Sequence, residues 1–101
     1  MAFDGSEGGE ISEQQAVTLV TNFRQNNSTQ PKGVYFDKTC FQQLLAQSNA
    51  AGIRVYFGED NNNQMTVVMV AADQNEDDIV GKIMDGGAPC PSYCSTKGPL
   101  K

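Results

Sequence analysis

The run Met65 to Ala72, MTVVMVAA, is the most apolar stretch of the chain and the one that most narrows what it can fold into. Val67, Val68, Met69 and Val70 are consecutive. Side chains of an extended strand alternate between faces, so this strand presents apolar groups on both faces of its sheet and needs cover on both.

The flanking residues supply the sheet. Ile53, Val55 and Phe57 alternate with Arg54 and Tyr56, the period of a half-buried strand, and Gly58 closes it. Residues 59–64, EDNNNQ, form a polar turn rich in Asn and Asp, which tolerate left-handed backbone, so 53–58 and 65–72 read as an antiparallel hairpin. DQNEDD, residues 73–78, is an acidic turn. Beyond it Ile79, Val80, Ile83 and Met84 fit either a third strand broken at Gly81 or one helical turn.

Upstream the period is helical. Ser12 with Gln15 three residues on makes a capping box, and Ile11 is placed to staple onto Ala16. Ala16, Leu19, Val20 and Phe23 then form one stripe running to about Gln25, and Gln30-Pro31-Lys32-Gly33 is a loop. Val34-Tyr35-Phe36 is a short β-prone piece leading to a second cap at Asp37. There Phe36 and Phe41 repeat the staple, Leu44 and Leu45 follow on the same side, and the helix runs to about Gln47. The expected organisation is a flexible lead over 1–10, a single α+β domain over 11–84 and a Cys/Pro/Gly-rich tail over 85–101. The expected architecture is two N-terminal helices packed on one face of a small antiparallel β-sheet.

Two short helices cover only one face of a hairpin. The other face is left to residues 79–84 or to a second copy of the chain. Leu, Ile, Val and Phe together number 21 of 101 residues, a small supply of core, and small domains commonly gain stability by association. A homodimer burying the sheet is therefore the expectation.

Charge and composition exclude other classes. Twelve acidic against seven basic residues leave a net charge of −5, and the basic residues are scattered singly. Phosphate backbones and anionic lipid both require clustered Lys and Arg, so neither nucleic acid nor a membrane surface is an expected partner. No stretch approaches the 18 apolar residues of a membrane span, and the first ten residues lack the pattern of a signal peptide, which points to the cytoplasm. The chain has no histidine. Ser-His-Asp and Cys-His nucleophiles, His-ligated metals and an imidazole pH switch are thereby excluded.

The remaining tools for chemistry are few. Cys90-Pro91-Ser92-Tyr93-Cys94 holds two thiols four residues apart, compatible with a local disulfide, a redox pair or two thiolate ligands to a soft metal. A thioredoxin-like pair has two intervening residues, not three, and a tetrahedral metal would find only Cys40 left within the chain. Cys40 itself, in the first turn of the second helix, reads as a small buried apolar group. Asp73, Asn75 and Asp77 have the odd spacing of a calcium loop, but Asp78 stands where glycine is required and Met84 where the bidentate Glu belongs. No metal and no cofactor is therefore expected. Glu59 and Asp60 lie in the turn at the opposite end of the strand from those acids, so no paired-carboxylate site follows. Arg54 and Tyr56 share the face opposite Ile53, Val55 and Phe57, and residues of these two types dominate binding hot spots.

The order of KGVYFDKTCFQQLLAQ, AGIRVYFGED, an apolar strand, an acidic turn ending in DDI, and GGAPCPSYC resembles a group of small uncharacterised bacterial proteins. These share a Gly-Ile-Arg-Val-Tyr-like strand and a C-terminal Cys-Pro-x-x-Cys. The resemblance spans about Ile11 to Ser95, implies no activity, and marks Gly52, Arg54, Tyr56, Cys90 and Cys94 as the places to look. Two functions are expected from the residues: a non-catalytic protein-interaction or self-associating module with Arg54 and Tyr56 on its surface, or a thiol-based redox or metal site at Cys90 and Cys94. Association is a sharper expectation than catalysis.

Overall fold

The computed structural model describes residues 2–101, so Met1 of the expected lead lies outside the described residues. Helix α1 spans Glu13–Asn26 and opens with the capping box: Ser12 Oγ accepts from the Gln15 amide at 3.1 Å while Gln15 Oε1 accepts from the Ser12 amide at 2.9 Å. Strand β1 covers Gly33–Tyr35, and helix α2 covers Lys38–Leu45, capped by Asp37, whose carboxylate accepts from the Thr39 amide at 3.0 Å.

Strands β2 (Gly52–Glu59) and β3 (Met65–Ala72) pair antiparallel without interruption from Gly52↔Ala72 to Glu59↔Met65. Strand β4 (Asp78–Met84) takes the other edge of β3, so residues 79–84 are a strand and not a helical turn. Its register breaks: Ala72↔Asp78 and Ala71↔Ile79 are followed by Val70↔Ile83 and Met69↔Met84, which leaves Val80, Gly81 and Lys82 outside the pairing.

The two turns of this sheet have the same design. Asp60 accepts from the amides of Asn62 and Gln64, and Asp73 accepts from those of Asn75 and Asp77. In each, the fourth residue, Asn63 or Glu76, takes a positive φ of 62° or 73°. The acidic turn thus spends its leading carboxylate on its own backbone.

The expected arrangement of two N-terminal helices on one sheet, followed by a tail, is overturned. Strand β1 separates the helices, and the described residues form five strands in two antiparallel sheets, β2-β3-β4 and β1-β5. The fold is α+β. Part of the expected tail, Ala88–Cys90, is strand β5, which returns to pair Gly33 with Cys90 and Tyr35 with Ala88. Gly87 permits that return, because a Cβ there would lie 2.5 Å from Val34 Cγ1 and 2.8 Å from the Tyr35 carbonyl oxygen.

The helices also divide their work unequally. Helix α2 lies on β2, β3 and β4 and inserts Leu44, which is fully buried against Met69 and Ala71, with Phe36, Cys40, Ala50, Ile53, Ile79 and Met84 around them. Helix α1 buries no residue completely, and Leu19 of its stripe is 61% exposed. An amphipathic stripe states that a face seeks cover but not which element supplies it, and here it is α2 that inserts a side chain into the sheet.

Strand β3 is covered on both faces. Register places Met69 and Ala71 with Ile53 and Val55 on the α2 face, and Val70 and Ala72 on the other with Arg54 and Tyr56. All four of these β3 residues are buried. Residues 79–84 extend the sheet sideways and do not cover it.

Candidate functional site

The face away from α2 is roofed by a polar bridge. Arg54 and Tyr56 project from β2, as the alternation of that strand requires, and both reach over β3 to Asp78 at the start of β4. Arg54 forms an ion pair with Asp78 Oδ1, and the Tyr56 hydroxyl donates to Asp78 Oδ2. Arg54 also donates to the Glu76 carbonyl oxygen at 3.1 Å, and its guanidinium lies 5.7 Å from the centre of the Phe3 ring. Bridging from one outer strand to the other, these side chains cross above Val70 and Ala72 and help to shield these two buried residues on the face away from α2.

The electrostatics follow the geometry. The hydrogen bond from Tyr56, joined by that from Arg54 and its charge, holds the Asp78 carboxyl below its ordinary range. The same bond to Asp78 pushes the Tyr56 phenol up. Neither group is thereby poised to exchange a proton near neutral pH, so the constellation positions side chains and supplies no general acid or base.

Beside the bridge is an open cleft of about 570 Å³, lined among others by Phe3, Glu7, Gly52, Arg54 and Gln74. One wall is the N-terminal segment, held by the Phe3 amide donating to the Gln74 carbonyl oxygen at 3.3 Å. The Glu7 carboxylate accepts from the amides of Asp4 and Gly5, each at 3.1 Å, and so serves its own turn.

Cys90 and Cys94 are joined as a disulfide with their Cα atoms 4.8 Å apart, closing a loop in which the Tyr93 amide donates to the Pro89 carbonyl oxygen at 2.9 Å. Cys40 stands apart from this pair, half-buried against the Leu44 cluster. No group of three or more metal-ligating side chains converges among the described residues. Glu59 and Asp60 sit at the Met65 end of β3 and Asp73, Asp77 and Asp78 at its Ala72 end, so these acids do not meet.

A second feature lies at the sheet's edge. Strand β2 has β3 on one side and, among the described residues, no strand on the other. Helix α2 covers only part of the face above it, so Val55 is 46% and Phe57 78% exposed. The Asp60 amide donates to the Gln64 carbonyl oxygen at 3.0 Å, making these a directly bonded pair. Antiparallel ladders alternate, so Arg54, Tyr56 and Gly58 direct their backbone groups to β3, and Ile53, Val55 and Phe57 direct theirs to the open edge.

Sequence reasoning placed Arg54 and Tyr56 on one face and missed Asp78. Asp78 comes opposite Ala72 only through the pairing of β4 with β3, which the sequence left open between a strand and a helical turn. What defines the molecule is therefore an α+β domain with a roofed sheet face and one open strand edge. Comparison of the chain with protein-family models, with curated proteins and with solved structures found no match.

Proposed function

We propose that the chain is a non-catalytic protein-interaction module that takes another polypeptide onto the open edge of β2. The observation that carries this reading is the edge itself: eight regular residues without proline or lysine, with Phe57 standing largely in solvent beside unpaired backbone groups. Natural edge strands are ordinarily blunted by charge, proline or a bulge, and strand addition is an established mode of polypeptide recognition. The other outer strand, β4, has such protection in Lys82 and the broken register at 80–82. Self-association is one form of this function. Nucleic acid is not a proposed partner, given the net charge of −5.

Amide exchange tests the reading. The outward amides of Ile53, Val55 and Phe57 are expected to be protected, in the purified protein or in cell extract, to the same degree as the inward ones of Arg54 and Tyr56. Free exchange of the three outward amides under both conditions would sink it.

The second reading, a thiol-based site at Cys90 and Cys94, is favoured by the bonded pair. Its test also bears on the cytoplasm, the compartment we propose, because standing disulfides are rare there. No helix among the described residues is long and apolar enough to cross a membrane. Thiols are trapped by alkylation in intact cells and the protein is weighed. Modification of all three cysteines agrees with the cytoplasm and removes a standing disulfide. Modification of Cys40 alone keeps the pair closed and overturns the cytoplasmic assignment.

A further inference from the structure

Resting on the interaction reading, we infer that the polypeptide added to β2 is the β2 strand of a second copy, paired antiparallel about a two-fold axis at Val55. The open edge is self-complementary in that register. Val55 faces the partner's Val55, Ile53 faces the partner's Phe57, and Phe57 faces the partner's Ile53. These odd-numbered positions are the ones whose backbone groups point outward, so each apposition is a directly bonded pair, and six hydrogen bonds close the seam.

Neighbouring registers lose this match. Centring the axis on Tyr56 sets Ile53 against the partner's Glu59. Centring it on Arg54 sets Phe57 against the partner's Ala51, which lies outside the strand and whose amide already donates to the Ala72 carbonyl oxygen. Only the Val55 register pairs Ile53, Val55 and Phe57 among themselves, apolar to apolar along the whole outward-facing row. The product is a six-stranded sheet with both α2 helices on one face and the exposed Val55 and Phe57 side chains gathered at its centre.

The area is of the right order. The chain exposes 7389 Å², whereas a compact monomer of 10.9 kDa exposes about 5,600 Å². The excess, roughly 1,800 Å², exceeds the ~800 Å² that each partner contributes to a standard interface. Part of the excess belongs to the exposed ends, residues 4–11 and 91–101, and the exposed residues of β2 and β4 add to it.

Charge exchange at the axis tests the pairing. The full chain should sediment at about twice 10.9 kDa at micromolar concentration, and Val55→Lys and Val55→Glu should each sediment as monomers, because each sets two like charges against one another. Mixing the two variants should restore the doubled mass as a heterodimer, which also shows that both variants fold. A native dimer that persists in both variants overturns the Val55 register and leaves self-association standing. A native chain monomeric up to about 100 times the micromolar range overturns the homodimer, and outward amides then protected only in extract would leave the interaction reading intact.

Discussion

At the scale of single residues the decisive group is Asp78. One carboxylate receives both the Tyr56 hydroxyl and the Arg54 guanidinium, and so ties β2 to β4 over the two small buried residues between them. The sign of its pH dependence is set by the direction of its shift. Because its folded value lies below the ordinary 3.8, the bridge stabilises the fold above that pH and the contribution is lost as pH falls through the folded value. Asp78→Asn is therefore expected to unfold at lower urea than the native protein at pH 7, and the gap should close as the pH is brought below about 3.8. Comparing the two proteins at each pH cancels the effect of carboxylates they share, Asp4 and Asp37 among them, which are also held low by their hydrogen bonds. A gap that stays constant between pH 7 and pH 3 would show that the Asp78 charge contributes nothing.

At the scale of elements, what could be read in advance was whatever depends on neighbours in sequence. The Ser12 capping box, the Asp37 cap, the hairpin of 53–58 with 65–72 and the two Asp-led turns each involve groups within a few residues of one another. Glu76 shows a limit even there: nothing in its side chain favours the positive φ it adopts, which the Asp73 turn imposes. Pairings across long stretches of chain were not legible. Strand β5 is three residues, APC, and a proline among so few residues argues against a strand unless it lies at an edge. Only the return of the chain to β1, more than fifty residues earlier, makes it one. The role of α1 was hidden for the same reason, since its last turn is tied by Arg24 to the carbonyl oxygens of Leu100 and Lys101 and not to the sheet. Arg54 and Tyr56 were legible as a pair on one face. Their anchor was not, because assigning residues 79–84 to a strand required knowing that β3 had a free second edge.

At the scale of the whole molecule, the five buried apolar residues among those described come from α2 and β3, and the radius of gyration is 15.1 Å, against about 13 Å for a compact domain of this length. Small cores commonly gain stability by association, and burying Val55 and Phe57 against a second copy would supply apolar contact that the fold itself does not make. Association of this kind leaves a thermodynamic signature that needs no structural probe. If the native state is a dimer and the unfolded state a monomer, mass action raises the apparent stability by about 1.4 kcal/mol per dimer for each tenfold rise in protein concentration. The urea midpoint of the native chain should therefore climb steadily between 1 and 100 times a starting micromolar concentration. The midpoint of Val55→Lys should lie below it and stay fixed over the same range, since a monomer has no such dependence. Coincident native curves across the whole range would mean that the small core stands without a partner, and that the open edge of β2 contributes nothing to holding the molecule together.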